Sequence, residues 1–498
     1  MKMLKMLLCR ALLLYTLFSC ISLVCYGGEK IEIGMFCLEP CQWDTTEYCI
    51  SINKRINIEN LNDTLHIPSE IQNDGKMYRV VKIANDGFRT CCSIKNLVID
   101  EGIREIGVYA FKGCTVLHSV KFPSTMRSLG ECAFYNCAQL KYIQVDKDNK
   151  LFDSREDCNA VICTPDNAVI LGCAGTTFPK SVTEISKSAF EGCIGLVTIK
   201  IPKWINSVGD EAFSDCFNLE EINLPEDGTV NFGLSVFDGC TSLTSLYIPL
   251  GNFSFFYNPF TNCENLSTFI VSTKNKEWRT DKDRTVLIYN DGNVLFAGGM
   301  NAKIGEDIKE IHSMAFQGCR KLTKVFIPAS VETIGEGAFM GCQNLVSVVV
   351  DKRNKIYDSR EDCNCIIETQ FNKIICGSSV ATIPQSVSVI GKYAFYGMNT
   401  SAVFRIPDNI TKIEELAFAH CKNLCQLMVP ANTELKYNSF CNCSCLSNVI
   451  YESKNKYIRT KKDINFLTSP FLGCSNSLSI SIDGEIVPKA EYGIFGEE

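Results

Sequence analysis

Residues 308–328 read I-K-E-I-H-S-M-A-F-Q-G-C-R-K-L-T-K-V-F-I-P, and close copies of this stretch fill most of the chain. Its central signature, Ala-Phe-x-x-Cys, usually returns after 23 residues, with the clearest copies at Ala110-Phe111, Ala133-Phe134, Ala189-Phe190, Ala212-Phe213, Ala315-Phe316, Ala338-Phe339 and Ala417-Phe418. A fixed period in the twenties is typical of a solenoid, whose repeats bury their apolar sides only by stacking on neighbours. The pattern therefore predicts one elongated repeat domain and directs the search for function to exposed surfaces.

Each repeat unit has two halves with different patterns. Residues 196–202 show the first half, in which apolar and polar residues alternate, as expected for a strand that ends at a proline. Residues 334–339 show the second half, in which Ile-Gly turns the chain and Ala-Phe packs beneath the strands. Stacked units would place the first-half strands side by side, about 4.8 Å apart, in a parallel sheet on one face. The thirteen units carry a core phenylalanine at positions 88, 111, 134, 190, 213, 237, 260, 316, 339, 395, 418, 440 and 471.

Three of the intervals between core phenylalanines measure 56 residues, so each holds an insert of about one extra unit. The inserts lie near residues 147–175, 274–300 and 352–379. The first and third share the motif D-S-R-E-D-C-N and continue into two strand-like runs, whereas the second contains Asn290-Asp291-Gly292, a strong hairpin turn. We therefore predict a β-hairpin that lies against the solenoid at each insert.

The repeat also sets the domain boundaries. Residues 28–75 lack it but hold short strand-like runs, which predicts an N-terminal cap over the open apolar end of the first turn. The solenoid spans 76–475, and residues 476–498 form a C-terminal cap or tail. Residues 1–27 have a basic start and an apolar stretch too short for a membrane span, which predicts a secretory signal cleaved near Gly27. Lipoprotein processing at Cys20 is the alternative, and no second apolar run of spanning length follows.

The 29 cysteines would ordinarily indicate a disulfide framework in a secreted chain. Their positions favour another interpretation, because twelve occupy the same F-x-x-C slot: Cys91, Cys114, Cys137, Cys193, Cys216, Cys240, Cys263, Cys319, Cys342, Cys421, Cys443 and Cys474. Equivalent slots stack in a solenoid, so we predict a buried ladder of thiols that pack and make weak hydrogen bonds to loop backbone. The insert cysteines are the best disulfide or zinc candidates, but neither insert has a matched histidine, and a disulfide and unpaired packing both stay open: Cys158, Cys163, Cys173, Cys363, Cys365 and Cys376.

The repeat resembles the BspA-like, or treponemal-type, leucine-rich repeat over roughly residues 60–475, and the D-S-R-E-D-C-N inserts are similar to those of BspA-like surface proteins. The resemblance implies an α/β-type, mainly β, right-handed superhelix with a parallel sheet on one face and β-hairpin inserts. It also implies a secreted or cell-surface protein, without catalysis or cofactor, that adheres to host matrix, to host cells or to other bacteria.

The residues themselves offer little chemistry. The four histidines lie in different repeats without a shared register, and no nucleophile, base and orienting group can be assembled from their spacing. The acidic loops at residues 153–157 and 358–362 could bind calcium, but each contains an arginine, and a solvated loop is the simpler interpretation. A net charge of −7 argues against a broad nucleic-acid-binding surface.

The strand register predicts which side chains face outward. In L-x-x-I-x-I-P the third and fifth positions point to solvent, and the fifth-position row becomes mostly apolar from Tyr247 onward. An exposed apolar row suggests a partner site, whereas ordinary strand preferences or a covering insert hairpin would explain it without one. The candidate partner-binding residues are Tyr142, Tyr247, Ile270, Lys324, Phe326, Val349 and Met428.

Three functional hypotheses follow. The first is a binding protein whose sheet face contacts a host matrix protein, a cell-surface protein, a glycan or another bacterial surface. The second is a structural surface-layer or matrix component without a discrete ligand. A hydrolase is disfavoured, because the repeat register supplies no paired carboxylates or activated nucleophile.

Overall fold

The computed structural model describes residues 30–53, 63–255, 257–430, 432–452, 469–482 and 484–486. Here the chain forms a mainly β solenoid of about 16 turns, which confirms the predicted fold class. Helical structure in the described residues is confined to four 3-10 turns, Arg155–Asp157, Asp291–Asn293, Arg360–Asp362 and Thr369–Phe371, and none of these residues forms a helix that could cross a membrane. The predicted signal segment 1–27, with Cys20, and residues 487–498 of the predicted C-terminal cap or tail lie outside the described residues.

Each regular turn contributes one strand to a parallel array that we call the front sheet. The L-x-x-I-x-I pattern builds these strands, because its apolar positions alternate inward into the core. Neighbouring strands align in register, as Phe326 does with Val349. The front-sheet strands are Thr64–Ile67, Asn96–Ile99, Ser119–Phe122, Tyr142–Val145, Thr198–Lys200, Glu221–Asn223, Ser245–Ile248, Thr268–Val271, Lys324–Ile327, Ser347–Val350, Val403–Arg405, Gln426–Val429, Asn448–Tyr451 and Ser479–Ile482.

The second half of each turn forms another parallel array, the return sheet. Most of its strands contain only two residues, because the chain turns directly after them. The return-sheet strands of the regular turns are Lys76–Ile83, Glu105–Ile106, Ser128–Leu129, Glu184–Ile185, Ser207–Val208, Thr229–Phe232, Asn252–Phe255, Glu310–Ile311, Thr333–Ile334, Val389–Ile390, Lys412–Ile413 and Glu434–Leu435.

Both ends of the described solenoid carry antiparallel strands. At the N-terminal end the additional strands are Ile31–Ile33, Phe36–Pro40, Glu47–Ile52 and Glu70–Asn73. Leu38 and Ile50 of these strands are fully buried in the same hydrophobic cluster as Phe88 of the first repeat, while the capping role stays a prediction. At the other end, Glu485–Ile486 folds back antiparallel to the last front-sheet strand.

Each insert contains an antiparallel β-hairpin, as predicted, but its strands extend the return sheet instead of lying against the solenoid as a separate element. Their strands are Phe152–Asp153, Val161–Cys163 and Ala168–Leu171; Trp278–Thr280, Val286–Tyr289 and Val294–Gly298; Tyr357–Asp358, Cys365–Glu368 and Lys373–Gly377. The last strand of each insert pairs in parallel with the next regular return strand, which satisfies backbone groups that a separate hairpin would leave open. The described parts of the inserts add no strand to the front sheet, which is therefore interrupted at each insert.

The core phenylalanines stack in columns beneath the two sheets. Phe316 and Phe339, for example, have ring centroids 5.0 Å apart and nearly parallel planes. A glycine takes the phenylalanine position in each insert turn, at Gly172, Gly298 and Gly377. The Gly298 N–H donates to the Ala315 carbonyl at 3.0 Å, the same bond that the Phe316 N–H makes with Ala338.

The slot cysteines form the predicted ladder. All are buried except half-buried Cys193, and every cysteine in the described residues is a free thiol. The Cys342 thiol donates to the Phe316 carbonyl of the preceding turn at 3.2 Å, and the Cys319 thiol donates to Gly298 at 3.3 Å. Equivalent bonds are made by Cys114, Cys137, Cys216, Cys240, Cys263, Cys421, Cys443 and Cys474.

The six insert cysteines are also free thiols. Five of them are buried and Cys163 is half-buried. The Cys363 and Cys365 thiols lie close to each other's backbone carbonyls, at 3.8 Å and 3.5 Å. This arrangement favours packing over a disulfide for these positions.

Candidate binding surface

The structure places all seven candidate residues on the front sheet with their side chains toward solvent. Tyr142, Tyr247, Lys324, Phe326 and Val349 are exposed, whereas Ile270 and Met428 are half-buried. The insert strands do not cover this face, because they continue the return sheet. The exposure removes one simple explanation of the apolar row, while the role of these residues in binding stays a prediction.

The interruptions of the front sheet divide the row into separate patches. Tyr247 pairs in register with Ile270, and Phe326 pairs with Val349. Met428 lies on a later patch beside Arg405, and Tyr142 lies before the first insert. The seven residues therefore do not form one continuous site.

One patch borders a groove with a volume of about 490 Å³, within the usual size range of ligand pockets. The groove is lined by three of the candidate residues, Lys324, Phe326 and Val349, and by neighbours that the sequence analysis did not select. The lining residues are Ala302, Lys303, Ile304, Lys324, Val325, Phe326, Ser347 and Val349. This groove is the strongest candidate binding site in the described part of the chain.

The groove combines apolar surface with positive charge. Phe326 and Val349 expose 47% and 45% of their surface, which is unusual for paired apolar residues on one strand face. Lys303 forms an ion pair with Asp283 at 2.7 Å. Lys324 has no acidic partner among the described residues. The groove thus presents an apolar wall beside one ammonium group that is free to pair with a ligand.

Sequence reasoning missed residues 302–304, which form the opposite wall of the groove. This segment follows the second insert and fills part of the space that a front-sheet strand would occupy. The available signal was the 56-residue interval, which spans two turns but contains only one L-x-x-I-x-I strand. The sequence therefore indicated a break in the front sheet, but it did not indicate the shape of the groove that forms there.

A second cavity, of about 300 Å³, lies between the turns that flank the first insert. Its polar groups are paired with one another: Lys187 contacts Glu131 at 2.7 Å, and the Cys132 thiol donates to Glu191 at 3.1 Å. Burial and the nearby Glu191 carboxylate raise the pKa of the Cys132 thiol, which disfavours the nucleophilic thiolate. This cavity offers no activated group.

Two of the histidines and both acidic loops are held by local hydrogen bonds. His118 bonds to the Val116 carbonyl and His312 to the Ser313 carbonyl, in different turns. In the first acidic loop, the Arg155 guanidinium occupies both oxygens of Asp153, at 2.8 and 2.5 Å. No group of three or more potential metal ligands converges within the described ranges.

The repeat family can now be assigned. The family model for the BspA type leucine rich repeat region matches residues 81–158, 173–281, 299–380 and 364–462, and the chain belongs to this family. Leucine-rich-repeat surface proteins of this kind generally act through protein interaction and are generally non-catalytic. No curated protein matches the chain.

Several solved structures are similar in part. A leucine rich cell surface protein from Faecalibacterium prausnitzii is 23% identical, with 86% of this chain and 95% of that chain covered and a TM-score of 0.38. A leucine-rich repeat protein from Bacteroides ovatus is 18% identical, with 91% and 99% covered and a TM-score of 0.34. The pneumococcal vaccine antigen PcpA is 15% identical, with 93% and 100% covered and a TM-score of 0.35. These scores are low, so the family assignment depends on the repeat match.

Proposed function

We propose that this chain is a secreted or cell-surface adhesion protein without catalytic activity that binds a macromolecular partner through the groove beside Phe326. The partner is a host matrix or cell-surface protein, a glycan or another bacterial surface. The observation that carries the proposal is the exposed Phe326–Val349 pair next to the unpaired ammonium of Lys324. Aromatic side chains at the centre of an interface contribute much of the binding energy.

The localisation part of the proposal depends on residues 1–27. We propose that this segment directs export and is removed near Gly27, with lipid attachment at Cys20 as the alternative. Intact mass measurement of the chain from its native host separates the two, because lipidation leaves Cys20 as an acylated first residue.

The binding test uses the chain from residue 28 onward and three immobilised probes: mucin, a basement-membrane matrix extract and fixed bacterial cells. We expect saturable binding to at least one probe. Phe326→Asp should weaken it about 30-fold or more, because loss of a central aromatic anchor costs about 2 kcal/mol or more.

The matched control is Phe371→Asp. Phe371 is 56% exposed but lies in a 3-10 turn of the third insert, away from the groove. Equal effects of the two substitutions would contradict the site. Absence of saturable binding together with concentration-dependent self-association would favour a structural matrix role instead.

A further inference from the structure

The strand Lys324–Ile327 has one open edge, because the second insert adds no strand to the front sheet before it. On the paired side, Ser347 N–H donates to the Thr323 carbonyl at 3.1 Å and Asp351 N–H donates to the Ile327 carbonyl at 2.8 Å. Residues of a parallel strand bond alternately to their two sides. Lys324 and Phe326 therefore direct their backbone N–H and C=O groups away from that neighbour.

These backbone groups have no bonding partner among the described residues. On the strand Ser347–Val350, the last one before the third insert, the outer-edge backbone groups do find partners. The Val350 N–H, for example, donates to the hydroxyl of Ser359 in that insert, at 3.0 Å. Side chains of the third insert thus fill these positions before that insert, whereas the strand after the second insert leaves its donors and acceptors unpaired, as a template for another strand.

The open edge faces the groove. Val325 lines the groove although its side chain is directed into the core, so the groove reaches the backbone of the strand. The groove, about 490 Å³ in volume, extends from residues 302–304 over Lys324 and Phe326 to Ser347 and Val349 of the paired strand. An added strand, about 4.8 Å from its neighbour, would occupy the part of the groove between residues 302–304 and Lys324–Ile327.

We infer that the groove binds an extended acidic peptide by strand addition to the open edge of Lys324–Ile327. This inference rests on the proposed function and names its partner chemistry. The peptide backbone pairs with the N–H and C=O groups of Lys324 and Phe326. Because alternate side chains of an added strand share one face, an acidic side chain meets the Lys324 ammonium and an apolar one packs on the adjacent Phe326 ring.

The probe is a pool of acetylated and amidated heptapeptides composed of Glu, Thr, Val and Phe. Amide hydrogen exchange over residues 323–327 is measured with and without the pool. We expect at least about tenfold slower exchange at the Lys324 and Phe326 amides, because these donors are unbonded in the free chain and bonded in the complex. A fully N-methylated pool of the same composition should give no protection, since its N-methyl groups would clash between the paired strands and leave the Lys324 and Phe326 carbonyls without donors.

Two substitutions of one residue separate backbone pairing from charge. Lys324→Ala and Lys324→Pro both remove the ammonium, but only proline also removes the N–H that faces the groove. Proline is tolerated on an edge strand when its missing donor faces away from the sheet. Lys324→Pro should bind the pool at least tenfold more weakly than Lys324→Ala, with thermal unfolding as the check on folding.

The outcomes are distinguishable from those of the binding test. No protection by the pool, equal protection by the N-methylated pool, or equal binding by two folded Lys324 variants would each overturn strand addition. If Phe326-dependent binding to mucin, matrix or bacterial cells persists in that case, the groove recognises a glycan or a folded surface and the proposed function stands. If Lys324→Pro fails to fold, the N-methylated pool still decides.

Discussion

Gly298 lies directly against the ring of Phe316, so a methyl group on Gly298 would overlap that ring. Gly172 and Phe190, and Gly377 and Phe395, show the same relationship at the other two inserts. Because glycine has no side chain, the ring of the first phenylalanine after each insert fills the space beside it, and the phenylalanine column begins again there. The insert and the following turn are therefore packed as one unit.

Gly298→Ala is expected to destabilise the chain by about 1–3 kcal/mol, because overpacking a filled core forces side chains or backbone to move. The free energy of unfolding in urea measures this effect. The control is Gly305→Ala, whose added methyl group would meet only the movable carboxylate of Asp307. Equal unfolding midpoints for the two variants would show that the Phe316 ring can shift without cost.

The thiol ladder predicts a sharp difference in cysteine reactivity. At pH 8, Cys92 and Cys445 should react first with a disulfide reagent, because both are exposed. Cys216 and Cys342 are completely buried and their pKa values are raised well above the usual range by burial, so they should react only after unfolding. Mass-spectrometric mapping of the labelled positions tests this order, and rapid labelling of Cys342 in the folded chain would contradict it.

The same ladder predicts loss of stability in alkaline solution. Burial raises the pKa of Cys91 to about 11 and that of Cys319 to about 12, whereas thiols in the unfolded chain lose their protons near pH 8.5. The stabilising contribution is complete below about pH 8.5 and falls by about 1.4 kcal/mol per pH unit for each such thiol until the folded thiol titrates. Urea unfolding at pH 7.5, 9 and 10 measures the decline.

Cys319→Ala supplies the control for this pH dependence. It should reduce the slope by about 1.4 kcal/mol per pH unit, since one linked proton is removed. Stability that stays constant up to pH 10 would contradict protonated, buried slot thiols.

The acidic insert loops should depend on arginine and not on calcium. The Arg360 guanidinium bonds to Asp358 at 2.7 and 2.5 Å and also donates to Asn372 and Ser386. Arg360→Ala should therefore lower stability by about 1–2 kcal/mol near neutral pH, because it leaves a half-buried carboxylate unpaired. Thermal unfolding with and without millimolar Ca²⁺ completes the test, and a rise in the wild-type midpoint with Ca²⁺ would contradict the ion-pair role.

The Arg360 effect should also depend on pH. Burial raises the pKa of Asp358, but hydrogen bonds from Arg360 and Thr369 outweigh burial and hold it below its usual value. The stabilising contribution is therefore present above the unfolded pKa of about 3.9 and is lost as the pH falls through the lower folded value. The difference in unfolding midpoint between wild type and Arg360→Ala should shrink in that acidic range.

Much of this architecture could be predicted because every turn of the solenoid buries the same kinds of side chain at the same repeat positions. Ala-Phe-x-x-Cys identified the stacked core, and alternation in L-x-x-I-x-I identified the outward residues, since side-chain direction in a strand has a period of two. The inserts were located by the 56-residue spacing and their hairpins are confirmed, but their pairing into the return sheet was not predicted. A hairpin motif gives the turn and the strands, whereas the edge to which they pair depends on contacts between distant residues.

The sequence by itself determined the solenoid, the family, the thiol ladder and the outward face, because these follow from local periodicity repeated along the chain. The tertiary structure alone decided that the inserts join the return sheet, that the ring of the next phenylalanine packs against a glycine there, and what shape the break in the front sheet before Lys324 takes. The groove exists for this reason: residues 302–304 and 324–326 become neighbours only when the missing strand leaves a space between them.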